Sequence, residues 1–455
     1  MLFLPTFPSI KRQRIGSISF SNTHHIWLLL PKLEIWRDNT KNGISTNHLS
    51  YFALILPFLR KFLLSLWAMK YFLIAGEASG DLHARHLMDA IRAKDAEAEI
   101  YYWYRPDLAY MGFISVAMHL PEILRGMQEC KKSISEFMPD RLILVDYPGF
   151  NLKIAAWFHK VFVEGRRGET TAVPQVVYYI PPKIWAWKEG RIVQIKKYVD
   201  SILSILPFEV NWYAGKHDCH VDYVGNPTLD EISVFRNSLQ AQEIGAWRDS
   251  LALGNAPVVA LLPGSRRQEI ERNLPMMLKA ACAVGGDYQY VIASAPNMHK
   301  EFYEAIISSA LGEGNGDFRK RIVLAPCQGS RSSFMLLDSA YAALVTSGTA
   351  TLETAIFEVP QVVCYAMAFG KVVSWLRKIV LKVPYVSLVN LIVGREVVPE
   401  LVAGEMTQES VERNLRNVLA DETFRRNQKQ GYETMMQLLG EPGAPEKAAH
   451  KIVGK

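Results

Sequence analysis

Short apolar runs without polar alternation recur along this chain, separated by amphipathic stretches, and that repeat limits the fold more than any other feature. "YFLIAG" (71–76), "RLILVDY" (141–147), "QVVYYI" (175–180) and "DSILSIL" (200–206) make a first set. "PVVALLPG" (257–264), "YQYVIASA" (288–295), "RIVLAP" (321–326), "AALVTSG" (342–348) and "QVVCYAM" (361–367) make a second. Such β-branched runs read as strands buried on both faces, the environment that helices on either side of a parallel sheet create. The alternation predicts an α/β chain of two doubly wound, Rossmann-like halves. A cleft between them, at the carboxyl ends of the strands, is the expected ligand site. "DYVGNPTLDE" (222–231) reads as the linker between the sets. The expected organisation is an extension over 1–68, a first half over 69–222, a second over 223–384 and a mostly helical segment over 385–455.

With 455 residues the chain has room for two full cores. Its formal net charge of +6 resides in residues 1–68, which hold eight basic and two acidic residues; the remainder carries 43 of each sign. A neutral main body argues against nucleic acid as a partner. The five cysteines (Cys130, Cys219, Cys282, Cys327 and Cys364) are scattered, with no C-x-x-C pair and no metal-ligand spacing. Free thiols in a reducing cytoplasm are expected, with no metal site. The first 68 residues are aperiodic, and Arg60-Lys61 interrupts their longest apolar stretch short of the ~20 residues a membrane-crossing helix needs. Met69 is read as the start of the folded protein and the extension as upstream translation; a membrane-surface or targeting segment is the alternative.

Four of the strand ends carry residues with chemical capacity. In "GEASGD" (76–81) Gly76 and Gly80 permit a tight strand-to-helix turn, Asp81 is a cap candidate, and Glu77 or Ser79 is free to contact a substrate. "VDYPGFN" (145–151) puts Asp146 at a strand's carboxyl end, either as a general base or as a hydrogen-bonding turn residue. In "LLPGSRRQEI" (261–270) an apolar strand ends in a glycine turn, with Ser265 as the helix-cap candidate and Arg266 and Arg267 behind it. Backbone N–H groups at such a helix start face an anion, and an arginine there adds a bidentate phosphate contact; a capped helix with two solvated arginines is the plainer reading. "SGTATLETA" (347–355) repeats the strand-to-helix design. Its Glu353 has the wrong spacing to make a capping box with Ser347 or Thr349, which leaves the carboxylate for a ribose diol. "YYIPPKIWAWKEGR" (178–191) combines two prolines, two tryptophans and flanking bases, which suit stacking on a sugar, membrane contact or plain core packing.

Taken in order, "GEASGD", "YMGF", "DYPGFN", "WAWKEGR", "LPFE" (206–209), "YVGNP" (223–227), "LLPGSRRQEI", "SGTATLE" and "YVSLVNL" (385–391) resemble the motif series of lipid-A-disaccharide synthases over nearly all of 69–455. The resemblance implies the GT-B fold and an inverting glycosyltransferase of lipid A (lipopolysaccharide) biosynthesis. Such an enzyme joins UDP-2,3-diacylglucosamine to 2,3-diacylglucosamine 1-phosphate through a β-1′,6 bond and releases UDP, with no metal ion or other cofactor. It implies Asp146 as the general base and Arg266 at the UDP diphosphate with Gly264 and Ser265. It places Glu353 at the ribose beside Ser347, Gly348 and Thr349, and adds Glu77, Ser79 and Asn390 to the substrate-binding set. A cytoplasmic protein, peripheral on the inner face of the bacterial inner membrane, follows from acylated substrates; the sequence leaves homodimerisation open.

Two departures from the family pattern fall in the acceptor half. The chain passes from "IYYW" to "YRPDLAYMGF" almost directly where relatives have roughly twenty further residues, so a loop of the first half is read as deleted. "MGFISV" has Ser115 where the common form has Glu. An acceptor-defective UDP-sugar-binding protein, or another UDP-sugar enzyme such as an epimerase, therefore stands beside the synthase reading. Expected membrane contacts are 110–127, with Met111, Phe113, Met118 and Leu120, and 371–382, with Trp375, Arg377, Lys378 and Lys382.

Overall fold

All twelve strands among the described residues run parallel to their neighbours, in two sheets of six. The structure is a computed structural model that describes residues 68–108, 118–165, 173–240, 242–296, 298–326, 329–366 and 384–454. The first sheet is built from β1 (Lys70–Ala75), β2 (Glu99–Tyr104), β3 (Arg141–Val145), β4 (Gln175–Tyr179), β5 (Ser201–Ser204) and β6 (Asp222–Tyr223), in the order β2-β1-β3-β4-β5-β6. The second contains β7 (Val258–Leu262), β8 (Gln289–Ala293), β9 (Ile322–Ala325), β10 (Ala340–Val345), β11 (Gln361–Tyr365) and β12 (Glu400–Val402), in the order β12-β11-β10-β7-β8-β9. In each sheet the first strand has neighbours on both sides and the order reverses beside it, which opens a crevice at the carboxyl ends.

All nine runs singled out in the sequence are strands. β2, β6 and β12 are additions. "EIYYWY" alternates in burial, with Trp103 inward and Tyr101 outward, because β2 is an edge strand. The stretch expected to be a linker is not one throughout: Asp222–Tyr223 closes the first sheet, and Pro227–Ser238 is a helix capped by Asn226, whose side chain accepts the Thr228 N–H. The C-terminal segment, expected to be mostly helical, also supplies β12 to the second sheet.

Both sheets are covered on both faces, as their unalternating strands require. Phe72, Ile74, Leu142 and Leu144 face one apolar cluster, and Tyr71, Leu73, Ile143 and Val145 face the other. Ala448, Ala449 and Ile452 of the last helix, Ala444–Val453, belong to that second cluster. The C-terminus therefore returns to the first half. Its crossing is tied to the other one by Asp230, which accepts the Ala444 N–H at 3.2 Å. Trp185 and Leu206 of the first half share an apolar cluster with Val389 and Ile392 of the second. No helix among the described residues is long and apolar enough to cross a membrane.

Candidate active site

Asp146 follows β3 directly, and both it and Tyr147 hold left-handed backbone angles, with φ of 46° each. For a tyrosine this costs on the order of 1 kcal/mol, so the surroundings must enforce it. They do so through the Asp146 carbonyl, which accepts from Tyr178 Oη and Asn151 Nδ2, both at 2.7 Å. The Tyr147 ring lies so close over Gly76 that a Cβ there would sit 2.4 Å from Cδ1, which makes Gly76 a packing requirement. The carboxyl thus turned out of the strand is half-buried. Burial raises its pKa, opposed by the Lys183 charge and the Tyr147 N–H. That last contact is the turn role weighed for Asp146 in the sequence, and it coexists with a carboxyl made more basic by burial.

Glu77 stands at the N-cap position of the helix Ala78–Lys94. Asp81, expected to cap it, lies inside the helix instead, where it accepts from Tyr102 Oη at 2.7 Å and from Arg85 Nε at 2.9 Å. The Glu77 carboxyl is held above its ordinary range by burial and by the Asp146 charge, and the Arg266 guanidinium works in the opposite direction. Carboxylates from two strand ends of the first half and an arginine from the second therefore share one electrostatic environment. Ser79 is exposed on the first turn of the same helix.

The loop after β7 is organised around Glu269. Ser265 does not cap the helix Arg267–Val284; Arg266 occupies that position, and the Glu269 carboxylate accepts the N–H groups of Ser265 at 3.3 Å and Arg266 at 3.4 Å. Gly264, at φ 119°, lies so close to Glu269 that a Cβ would be 2.7 Å from its carboxylate. Arg267 turns away, pairing with Glu271 at 2.9 Å and covering the Phe302 ring. Asn273 was missed in the sequence, although an amide on the face that buries Ile270, Leu274 and Met277 is the signal that marks it. Its Nδ2 donates to Pro263 O and Thr346 Oγ1, both at 3.0 Å, and its Oδ1 accepts from Ala366 N at 2.8 Å. One buried side chain thus fixes the ends of β7, β10 and β11 together.

After β10, Ser347 Oγ donates to Val386 O at 2.9 Å, while Gly348 and Thr349 are exposed at the start of the helix Thr349–Ile356. Glu353, one turn further, is pushed up to about 7 by burial and then by Glu231. Glu231, on the crossing helix, is itself raised to about 7 by burial and Asp230. His83 approaches Glu231 to 3.8 Å, yet burial, His86 and Lys183 lower its pKa to about 4, so the contact joins a neutral imidazole to a carboxyl. Glu231 is a second residue that sequence reasoning missed, since it stood in the presumed linker.

Asn390 corrects an expectation. It is fully buried, its Nδ2 donates to Val398 O and Glu400 Oε1, both at 2.9 Å, and its Oδ1 accepts from Val397 N at 2.7 Å and Val398 N at 3.0 Å. All four hydrogen-bonding positions of the amide are used inside the fold, leaving none for a substrate. Trp185 is core, donating to Glu209 at 2.7 Å, whereas Trp187 is 50% exposed. Of the expected membrane contacts, Met118 is 67% and Leu120 44% exposed; 111–117 and 371–382 lie outside the described residues. Among the described residues no group of three or more His, Cys, Asp or Glu gathers for a metal ion. A separate groove of about 660 Å³ opens between the halves beside Glu231, walled by Leu82, His86, Val234 and Phe334.

Comparison with known proteins follows the same lines. A family model described as lipid-A-disaccharide synthetase matches residues 71–452. A lipid-A-disaccharide synthase of Myxococcus xanthus is 35% identical over 399 residues, covering 84% of this chain and 96% of the relative. One of Acidobacterium capsulatum is 32% identical, with 85% and 97% covered. A solved UDP-GlcNAc 2-epimerase of Methanocaldococcus jannaschii, in complex with UDP-GlcNAc and UDP, superposes with a TM-score of 0.55 over 85% of this chain and 99% of that one. At 14% identity that likeness is one of fold.

Proposed function

The chain belongs to the lipid-A-disaccharide synthetase family, and from that premise we propose how its cleft carries out the transfer. The activity is glycosyl transfer: a UDP-linked diacylglucosamine is condensed with a diacylglucosamine 1-phosphate, giving the disaccharide phosphate and UDP. Asp146 accepts the proton of the acceptor hydroxyl as that oxygen attacks the anomeric carbon. The bond to UDP breaks on the opposite face, so one displacement inverts the centre. Arg266 and the N–H groups of the helix start offset the charge that grows on the departing diphosphate. Glu353 takes the ribose hydroxyls, with Ser347, Gly348 and Thr349 at the adjoining helix start. Glu77 and Ser79 line the acceptor side.

The observation that supports this reading is that Glu77, Asp146 and Arg266 follow the carboxyl ends of β1, β3 and β7, two from one half and one from the other, with Asp146 and Arg266 both acting on the Glu77 carboxyl. A base and a leaving-group cation on facing strand edges are what a single displacement needs. The exposed apolar residues Met118, Leu120 and Leu124 head the helix Leu120–Phe137, at the carboxyl edge of the first sheet. They support a peripheral approach to a membrane that holds the acylated substrates.

UDP release by the full chain, measured with and without the acylated acceptor, tests the proposal. Release that requires acceptor and yields disaccharide supports it. UDP binding without transfer would make the chain a binding protein, and C2-inverted sugar formed without acceptor would make it an epimerase.

A further inference from the structure

Lys183 is a half-buried lysine with a shielded ammonium that the transfer mechanism above does not use. It follows an abrupt change of direction after β4, where Ile180 holds a φ of 60°, a conformation rare for a β-branched residue. Pro181 and Pro182 then fix the chain, and Tyr213 Oη donates to Pro182 O at 3.3 Å. The Lys183 ammonium is shielded from solvent and makes no hydrogen bond within the chain. It lies 3.4 Å from Glu209 Oε1, and Glu209 is fully buried. Glu209 is itself fixed: Trp185 Nε1 donates to the same oxygen at 2.7 Å and Ser204 Oγ donates to the other. An ammonium with three donors and no acceptor satisfied is costly to bury, and the fold nevertheless holds it at the carboxyl edge of β3 and β4.

The surroundings show what the charge acts on. Adjacent strands β3 and β4 are in register with Val145 opposite Tyr179, so Asp146 and the 180–183 turn leave the sheet side by side. Lys183 lowers the pKa of Asp146 against the effect of burial, and it disfavours protonation of His83 on the helix Ala78–Lys94. The other charged or titratable groups around this point are Glu77 after β1, Glu209 behind the ammonium, and His86 and Glu231 beside His83. Tyr178 beneath Asp146 donates only to its backbone carbonyl.

We propose that Lys183 is a positioning residue of the transfer: braced by Glu209, its ammonium keeps the Asp146 carboxyl ionised, the form that accepts the acceptor's proton. This inference rests on Asp146 as the base. Without Lys183, only the Tyr147 N–H opposes the effect of burial on Asp146, and the ionised fraction falls first at low pH.

The test is the pH dependence of UDP release by the full chain with donor and acylated acceptor. In Lys183→Met the rate at about pH 6 should fall roughly tenfold relative to the unmodified protein, while the alkaline plateau stays within about threefold and KM for the donor is unchanged. Lys183→Arg should restore the profile. Because Lys183→Met leaves Glu209 buried without its counter-charge, the double variant Lys183→Met/Glu209→Gln is measured beside it and should show the same alkaline displacement of the acid limb. A loss equal at every pH, or an unshifted limb in the double variant, overturns the role. Asp146→Asn separates the two ideas: near-normal turnover there removes the base itself, whereas an inactive Asp146→Asn with an unshifted Lys183→Met profile removes only the inference about Lys183.

Discussion

Arg266 Nη1 lies 3.1 Å from Glu269 Oε1, and the same carboxylate covers the N–H groups of Ser265 and Arg266. The helix start that would receive a diphosphate is thus organised around an internal anion, with the arginine already aimed at it. Arg266→Ala should weaken UDP binding by about tenfold or more, the loss of a charge-assisted contact worth roughly 1.5–3 kcal/mol. Arg267→Ala should cost less than about threefold, since that guanidinium is committed to Glu271 and the Phe302 ring. Calorimetric titration with UDP decides it; equal losses would show that the wrong arginine has been assigned to the phosphate.

For Asp146, replacement by asparagine keeps the shape of the turn and removes the base. The expected result is a kcat lower by about 10²–10⁴-fold with UDP affinity nearly unchanged. Turnover close to that of the parent would confine Asp146 to its contact with the Tyr147 N–H.

Legibility followed burial. Of the nine strands visible in the sequence, all but the edge strand β9 have a neighbour on each side, and they are written as continuous apolar runs. β2 lies on an edge and alternates, while β6 and β12 are two and three residues long, too short to leave a pattern. Asp146, Arg266 and Glu353 stood out in the sequence because they follow strand ends within motifs that resemble the family's, and the fold does place each in a turn or the first helical turns after a strand. Glu231, Asn273 and Lys183 could not be found that way: Glu231 and Asn273 act on Glu353 and Thr346, far along the chain, and Lys183 acts on groups carried by other elements of its own half. Asn390 failed for the opposite reason. A motif position looks the same in sequence whether its amide meets a substrate or, as here, Glu400 and the backbone of Val397 and Val398.

The exposed apolar trio at the head of the helix Leu120–Phe137 gives a prediction about membranes. Inserting Met118, Leu120 and Leu124 into a lipid boundary should stabilise binding by about 1 kcal/mol each, at roughly 25 cal/mol per Å² for partial burial. Replacing all three with serine should therefore lower affinity for anionic vesicles by tenfold or more in a sedimentation assay, with UDP binding intact. Vesicle affinity equal to that of the parent would exclude this helix end as the contact.

Glu231 and Glu353 make the last prediction, about stability. Both carboxyls are raised from the ordinary 4.5 of a glutamate to about 7 in the fold, each first by burial. Between those values the folded state holds protons that the unfolded chain has released, so stability from this pair is full below about pH 4.5 and is lost as pH rises through 7. Because Glu231 is itself one of the causes at Glu353, the two shifts overlap, and the pair is worth about one shift, roughly 3 kcal/mol, rather than the sum. Glu231→Gln removes one ionisation and relieves the other. The variant should unfold close to the parent at pH 5 and about 2–4 °C higher at pH 8, in the absence of UDP. Thermal unfolding across that range reads the difference directly: parallel curves for the two proteins would mean that these carboxyls titrate in the fold as they do in the unfolded chain.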